Sequence, residues 1–124
     1  MVTIADARNH PAQLTDTGVP GDSVGDILTF DQPLLDKELN PIGSNTGICI
    51  RTKIAHSFQC QWTLVFSDKD NSSIQVAGRE YDEGLSVISI IGGTGQYLNI
   101  QGEMYSINND DGTFTQTLNY MIEK

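Results

Sequence analysis

One carboxyl group is placed where it could do chemistry. In Ile74-Gln75-Val76-Ala77-Gly78-Arg79-Glu80, the side chains of Ile74, Val76, Gly78 and Glu80 share a face of an extended chain, because successive strand residues point to opposite sides. Ile74 and Val76 are expected to look inward and to carry Glu80 with them. Burial disfavours the charged form of a carboxyl and raises its pKa, by up to several units. Such a group keeps its proton near neutral pH and acts as a general acid toward an epoxide, a carbonyl or a quinone methide. The competing reading is a strand-end glutamate paired with Arg79, Arg51 or solvent. Trp62, Tyr81, Tyr97, Tyr105 and Tyr120 form a second class of candidates. They could line a cavity and hydrogen-bond a substrate oxygen, with core packing as the competing role for each.

Other residue types offer less. His10 and His56 have neither metal-ligand spacing nor triad partners. Asp68-x-Asp70-x-Ser72 starts like a calcium loop, but Ser73 and Arg79 stand where glycine and glutamate belong. Asn71-Ser72-Ser73 is a formal glycosylation sequon, relevant only to an exported chain. Cys49 and Cys60 are the only cysteines, and they form no C-x-x-C or zinc pattern. A hairpin turning near His56 would set Cys60 opposite Thr52, so two reduced, buried thiols are expected rather than a disulfide. No metal site is expected.

The elements that would position these groups are almost all β. Strands are predicted at 23–31, 44–55, 58–67, 73–82, 85–91, 97–107 and 113–122, with 1–22 as a lead-in that could hold one more short strand, Val2-Thr3-Ile4. Turn clusters separate them, and Asp110-Asp111-Gly112 suits a tight hairpin. Three glycines among four residues, Gly92-Gly93-Thr94-Gly95, end the apolar run Leu85 to Ile91 and force a corner. This is no phosphate loop, since no Lys-Ser/Thr follows and Leu98 stands where the last glycine of G-x-G-x-x-G belongs. The pattern predicts one all-β domain over 1–124, a small closed antiparallel barrel of about eight strands, whose interior holds packed side chains or one small ligand.

Charge and patterning narrow the partners. Seven basic and sixteen acidic residues give a formal charge of −9, which argues against nucleic acid and anionic membrane surfaces. No apolar run approaches a membrane span, and no basic-then-apolar signal segment stands at the start, so a cytoplasmic chain is expected. Apolar residues on both faces of one strand, Ile88 and Ile90 against Val87 and Ile91, point to an outside covered by oligomerisation.

Four blocks in order carry a resemblance to a known family. They are Val24 to Leu34, which includes Phe30-Asp31-Gln32-Pro33-Leu34; Gly43-Ser44-Asn45-Thr46-Gly47-Ile48-Cys49; Thr63-Leu64-Val65-Phe66 followed by Ile74-Gln75-Val76-Ala77-Gly78; and Leu85 to Gly95. The chain resembles the allene oxide cyclase-like barrel superfamily, which includes plant dirigent proteins. That resemblance implies an eight-stranded barrel, usually trimeric, with an apolar ligand cavity and no cofactor. By the same resemblance Asp31 and Glu80 match interior dirigent aspartates, Gln32 takes the place of a second aspartate, and Cys49 matches an inward cysteine of the cyclases. No histidine has a place beside Cys49, so nucleophilic catalysis is not expected of it. The leading functional expectation is a cofactor-free cyclase or isomerase that folds a small, mostly apolar substrate and assists ring closure with Glu80 or Asp31. Gln32, Cys49, Trp62, Tyr81, Tyr97 and Tyr105 would bind the substrate. The alternatives are a dirigent-type protein that steers radical coupling without turnover of its own, and a non-catalytic carrier.

Overall fold

Residues 1–123 are described by a computed structural model. Nine strands account for nearly all regular structure: β1 (Val2–Asp6), β2 (Gln13–Thr15), β3 (Ile27–Asp36), β4 (Pro41–Lys53), β5 (Ser57–Phe66), β6 (Ser72–Tyr81), β7 (Leu85–Thr94), β8 (Ile100–Asn108) and β9 (Thr113–Ile122). From β3 to β9 each strand pairs antiparallel with the next in sequence. β1 then closes the ring, with Thr3 opposite Gln116 of β9 on one side and Ile4 opposite Leu35 of β3 on the other. The result is a closed eight-stranded barrel, as the patterning predicts. β2 is an extra, fully exposed strand attached only to β3.

Alternation along each strand sorts the side chains. Phe58, Cys60, Trp62, Leu64 and Phe66 of β5 point inward, and Ile74, Val76, Gly78 and Glu80 of β6 face them across the ladder. One end of the barrel is packed solid: Leu34, Leu64, Ile74 and Met104 have no exposed surface, and Phe66, Ile100 and Leu118 are also buried there. Each such side chain contributes about 1.5–3 kcal/mol of burial free energy.

The glycine corner seals that end. A Cβ on Gly93 would strike the Tyr97 carbonyl oxygen, and Gly95 takes a left-handed φ of +63° beside Ser72. The Ser72 hydroxyl accepts a hydrogen bond from the Gln96 amide at 3.0 Å. The chain turns through a short 3-10 segment, Gly95–Tyr97, and lays the Tyr97 ring 5.0 Å from that of Phe66. β8 therefore starts at Ile100 rather than at the expected residue 97.

The cysteine expectation is overturned. Cys49 and Cys60 are directly opposite in the β4–β5 register and form a disulfide. The hairpin turns through Lys53–His56, with Ala55 at φ 54° and a register shift between Arg51 and Lys53. The turn is therefore earlier than the sequence suggested, and Cys60 slides from Thr52 to Cys49.

Candidate functional site

The end opposite the glycine corner is open and contains a cavity of about 620 Å³, within the range of small-molecule sites. Its walls are aromatic and aliphatic: Leu28 and Phe30 from β3, Phe58 and Trp62 from β5, and Phe114 from β9. Phe30 and Trp62 meet edge to face with centroids 6.3 Å apart. Gly47 makes room for Trp62, because a Cβ at that position would collide with the Trp62 Cβ and the Gln61 carbonyl oxygen. The buried Trp62 indole Nε1 has no hydrogen-bond partner among the described residues.

Deeper in, the lining becomes amide-rich. The Thr3 hydroxyl donates to Gln116 Oε1 at 2.9 Å, and Gln116 Nε2 donates to Asn45 Oδ1 at 3.1 Å. Gln32 lies opposite Asn45 in the β3–β4 register and adds a further amide to the lining. A satisfied polar network inside a β-barrel fixes side-chain positions, and here it sets orienting groups at the base of an otherwise apolar chamber.

Carboxylates and one arginine surround the mouth. Arg51 is buried and ion-paired twice, to Asp82 at 2.7 Å and to Asp22 at 2.8 Å. Its guanidinium lies 3.7 Å above the Phe58 ring, a cation–π contact. Because Arg51 is occupied by Asp22 and Asp82, Glu80 is left without a cation among the described residues. Its Oε2 lies 3.7 Å from Cys60 Sγ, and a disulfide sulfur has no proton to donate. Removal from water, and secondarily the charge of Asp82, pushes the Glu80 carboxyl up to about 7. The group is thus half protonated near neutrality and can either give or accept a proton.

The structure brings five of the predicted site residues to one chamber: Glu80, Gln32, Cys49, Trp62 and Tyr81. Tyr81 is at the rim, its ring edge-on to His56 at 5.3 Å. Three others lie elsewhere. Asp31 is exposed on the outer face of β3, in a shallow groove with His10 and Thr46. Its neighbours Phe30 and Gln32 point inward, so Asp31 must point out. Tyr97 is buried in the sealed end. Tyr105 follows the inward Met104 on β8 and so takes the outer face. The sequence reading missed Asn45, Gln116, Asp82 and Phe114, which come from β4, β9 and the loop after β6. Strand alternation could have supplied the first two, each of which lies on the inward face of its strand.

The sequence as a whole now has a family. Residues 2–123 match the family described as dirigent-like protein. The chain belongs to the dirigent-like family. Solved structures of the same barrel fold accompany that match. A pyocyanin demethylase superposes with a TM-score of 0.77 at 23% identity, covering 96% of this chain and 98% of that one. Two pterocarpan synthase dirigent proteins give TM-scores of 0.80 and 0.72 at 18% and 17% identity, covering 99% and 98% of this chain and 93% and 86% of theirs. No curated protein shows a significant match to the sequence.

Proposed function

We propose that this dirigent-like barrel is an enzyme that binds a small, mostly apolar molecule and promotes an acid-assisted isomerisation or ring closure. The observation that carries the reading is the Glu80 carboxyl, raised by burial to about 7 in the wall of an apolar chamber. The aromatic walls would hold a flexible substrate in one reactive conformer, which converts chain entropy lost on binding into rate. The Gln32, Asn45 and Gln116 amides would orient its polar atoms. Glu80 would then deliver a proton or hydrogen bond where negative charge develops, and recover it at the end of the cycle. That barrels of this shape include proteins named as a demethylase and as synthases supports chemistry inside the chamber rather than storage alone.

The single tryptophan lines the chamber, so its fluorescence reports occupancy directly. A panel of polyene and epoxide substrates is first scored by Trp62 quenching and then by turnover. Glu80→Gln should bind within about threefold of the wild type while turnover falls by about 10²–10⁴, the usual contribution of a general acid. Unchanged turnover would remove Glu80 from the mechanism.

Family membership favours a second reading, in which the barrel steers the coupling of radicals made by a separate oxidase. A chiral coupling product that appears only when an oxidase is supplied would select it. The outward Leu85, Val87 and Ile107, each at least 43% exposed, support assembly into a homo-oligomer, with a trimer as the expected form.

A further inference from the structure

The chamber wall beside Glu80 contains a second set of reactive groups. Cys49 and Cys60 face each other across β4 and β5, Gly78 faces Cys60 from β6, and Glu80 follows two residues along on the same face. Both Sγ atoms and a carboxylate oxygen of Glu80 lie within 4.8 Å of one another. As a disulfide the cysteines have no thiolate to offer. Once reduced, they add two acidic thiols to a carboxyl that has no cation among the described residues, since Arg51 is held by Asp22 and Asp82. Three acidic groups gathered at one buried spot either keep their protons or take up a metal ion.

We propose that reduction of the Cys49–Cys60 bond creates a site for one zinc-like divalent ion, bound by the two sulfurs and the Glu80 carboxylate, with its fourth position open to the cavity. Reduction by a thiol or phosphine adds two electrons and two protons across the S–S bond. The ion then displaces both thiol protons, together with the Glu80 proton in the fraction that carries one. With bonds of about 2.3 Å to sulfur and about 2.1 Å to oxygen, neighbouring ligands of a tetrahedral zinc lie about 3.6 Å apart. Cys60 Sγ and Glu80 Oε2 are already 3.7 Å apart. The two sulfurs must separate to about 3.8 Å, by rotation about their Cα–Cβ bonds, and Cys49 Sγ, now within 4.8 Å of the Glu80 oxygen, must come to about 3.6 Å from it. Three protein ligands and an open fourth position are the pattern of a reactive zinc site rather than a closed structural one. The linear sequence hides this site, because its ligands come from three strands and the cysteines are 11 residues apart. A reducing compartment would favour the site and an oxidising one the disulfide. The inference does not rest on the acid-assisted reaction, which needs only the disulfide form.

The test uses the whole chain, reduced with a phosphine, desalted without oxygen and titrated with Co²⁺. Saturation at one equivalent is expected, with a sulfur-to-cobalt charge-transfer band in the near ultraviolet and the intense visible bands of tetrahedral cobalt. Zn²⁺ should abolish both, and the oxidised chain should show neither. Glu80→Gln keeps both thiols and should weaken Co²⁺ binding by at least about tenfold, since even partners outside the ligand shell cost that much. Absence of the charge-transfer band would overturn the site. So would unchanged affinity in Glu80→Gln, or equal binding by a Cys49→Ser/Cys60→Ser chain, which would mean surface carboxylates only. If reduction unfolds the barrel, Co²⁺ should restore its far-ultraviolet circular dichroism, because metal affinity is then folding energy. Failure to restore it would equally refute the proposal.

Discussion

Replacing Glu80 by glutamine should make the barrel more stable, and by an amount that depends on pH. In the unfolded chain this carboxyl has its ordinary value of 4.5, and in the barrel burial lifts it to about 7. Below about pH 4.5 both states hold the proton and the group contributes nothing to the pH dependence. Between about 4.5 and 7 the unfolded chain releases the proton while the folded chain keeps it, so stability falls as pH rises; above about 7 the loss is complete. A separation of about 2.5 pH units at about 1.4 kcal/mol each amounts to about 3 kcal/mol, trimmed by whatever water enters the cavity. Other acids act in the opposite sense. Hydrogen bonds from Arg8 pull Asp6 down to about 2, and hydrogen bonds also lower Asp26, Asp36 and Asp111. The wild-type profile alone therefore mixes opposing trends, whereas the difference between wild type and Glu80→Gln isolates one group. Thermal unfolding followed by circular dichroism at pH 4, 6 and 8 should show the two midpoints close together at pH 4. By pH 8 the glutamine variant should melt about 10 °C higher, at roughly 3–5 °C per kcal/mol for a domain of this size. Parallel midpoints across that range would refute both the burial argument and the acid it places in the chamber.

Three further outcomes follow from the geometry. Arg51→Met removes the partner of Asp22 and Asp82 and the stack over Phe58; it should cost about 2–4 kcal/mol in urea denaturation, because two carboxylates at the mouth lose their cation. Gly47→Ala forces a methyl group against Trp62 and should cost at least about 2 kcal/mol, with a shifted Trp62 emission maximum that shows where the strain falls. Val87→Glu puts a charge into the exposed apolar strip on β7; light scattering after gel filtration should find a trimer for the wild type and a monomer for the variant.

Glu80 was legible because alternation is a local rule: once Ile74 and Val76 face the core, every second residue of β6 follows. The same rule would have decided between Asp31 and Gln32, adjacent residues that cannot both face inward, yet family likeness pointed to both. Closure of the barrel was legible from the strand count and the glycine corner. Hairpin register was not. The turn at Lys53–His56 has no glycine or asparagine to mark it, and Ala55 takes a positive φ that its type does not advertise. A shift of three in the sum of paired residue numbers was enough to hide the disulfide. The amide network was illegible for another reason: Thr3, Asn45 and Gln116 meet only when β1 docks between β3 and β9.

That docking also governs how the molecule can be assembled. Val2–Asp6 leaves its place in the ring only by breaking two ladders at once, one to β3 and one to residues 113–117. Pairings that span nearly the whole chain are slow to find, since loop closure precedes any reward from the contact. Until the seam shuts, β3 and β9 each present a bare edge able to pair with another molecule. Closing that seam therefore also removes the opportunity to aggregate, and the five-residue strand Val2–Asp6 serves as the latch.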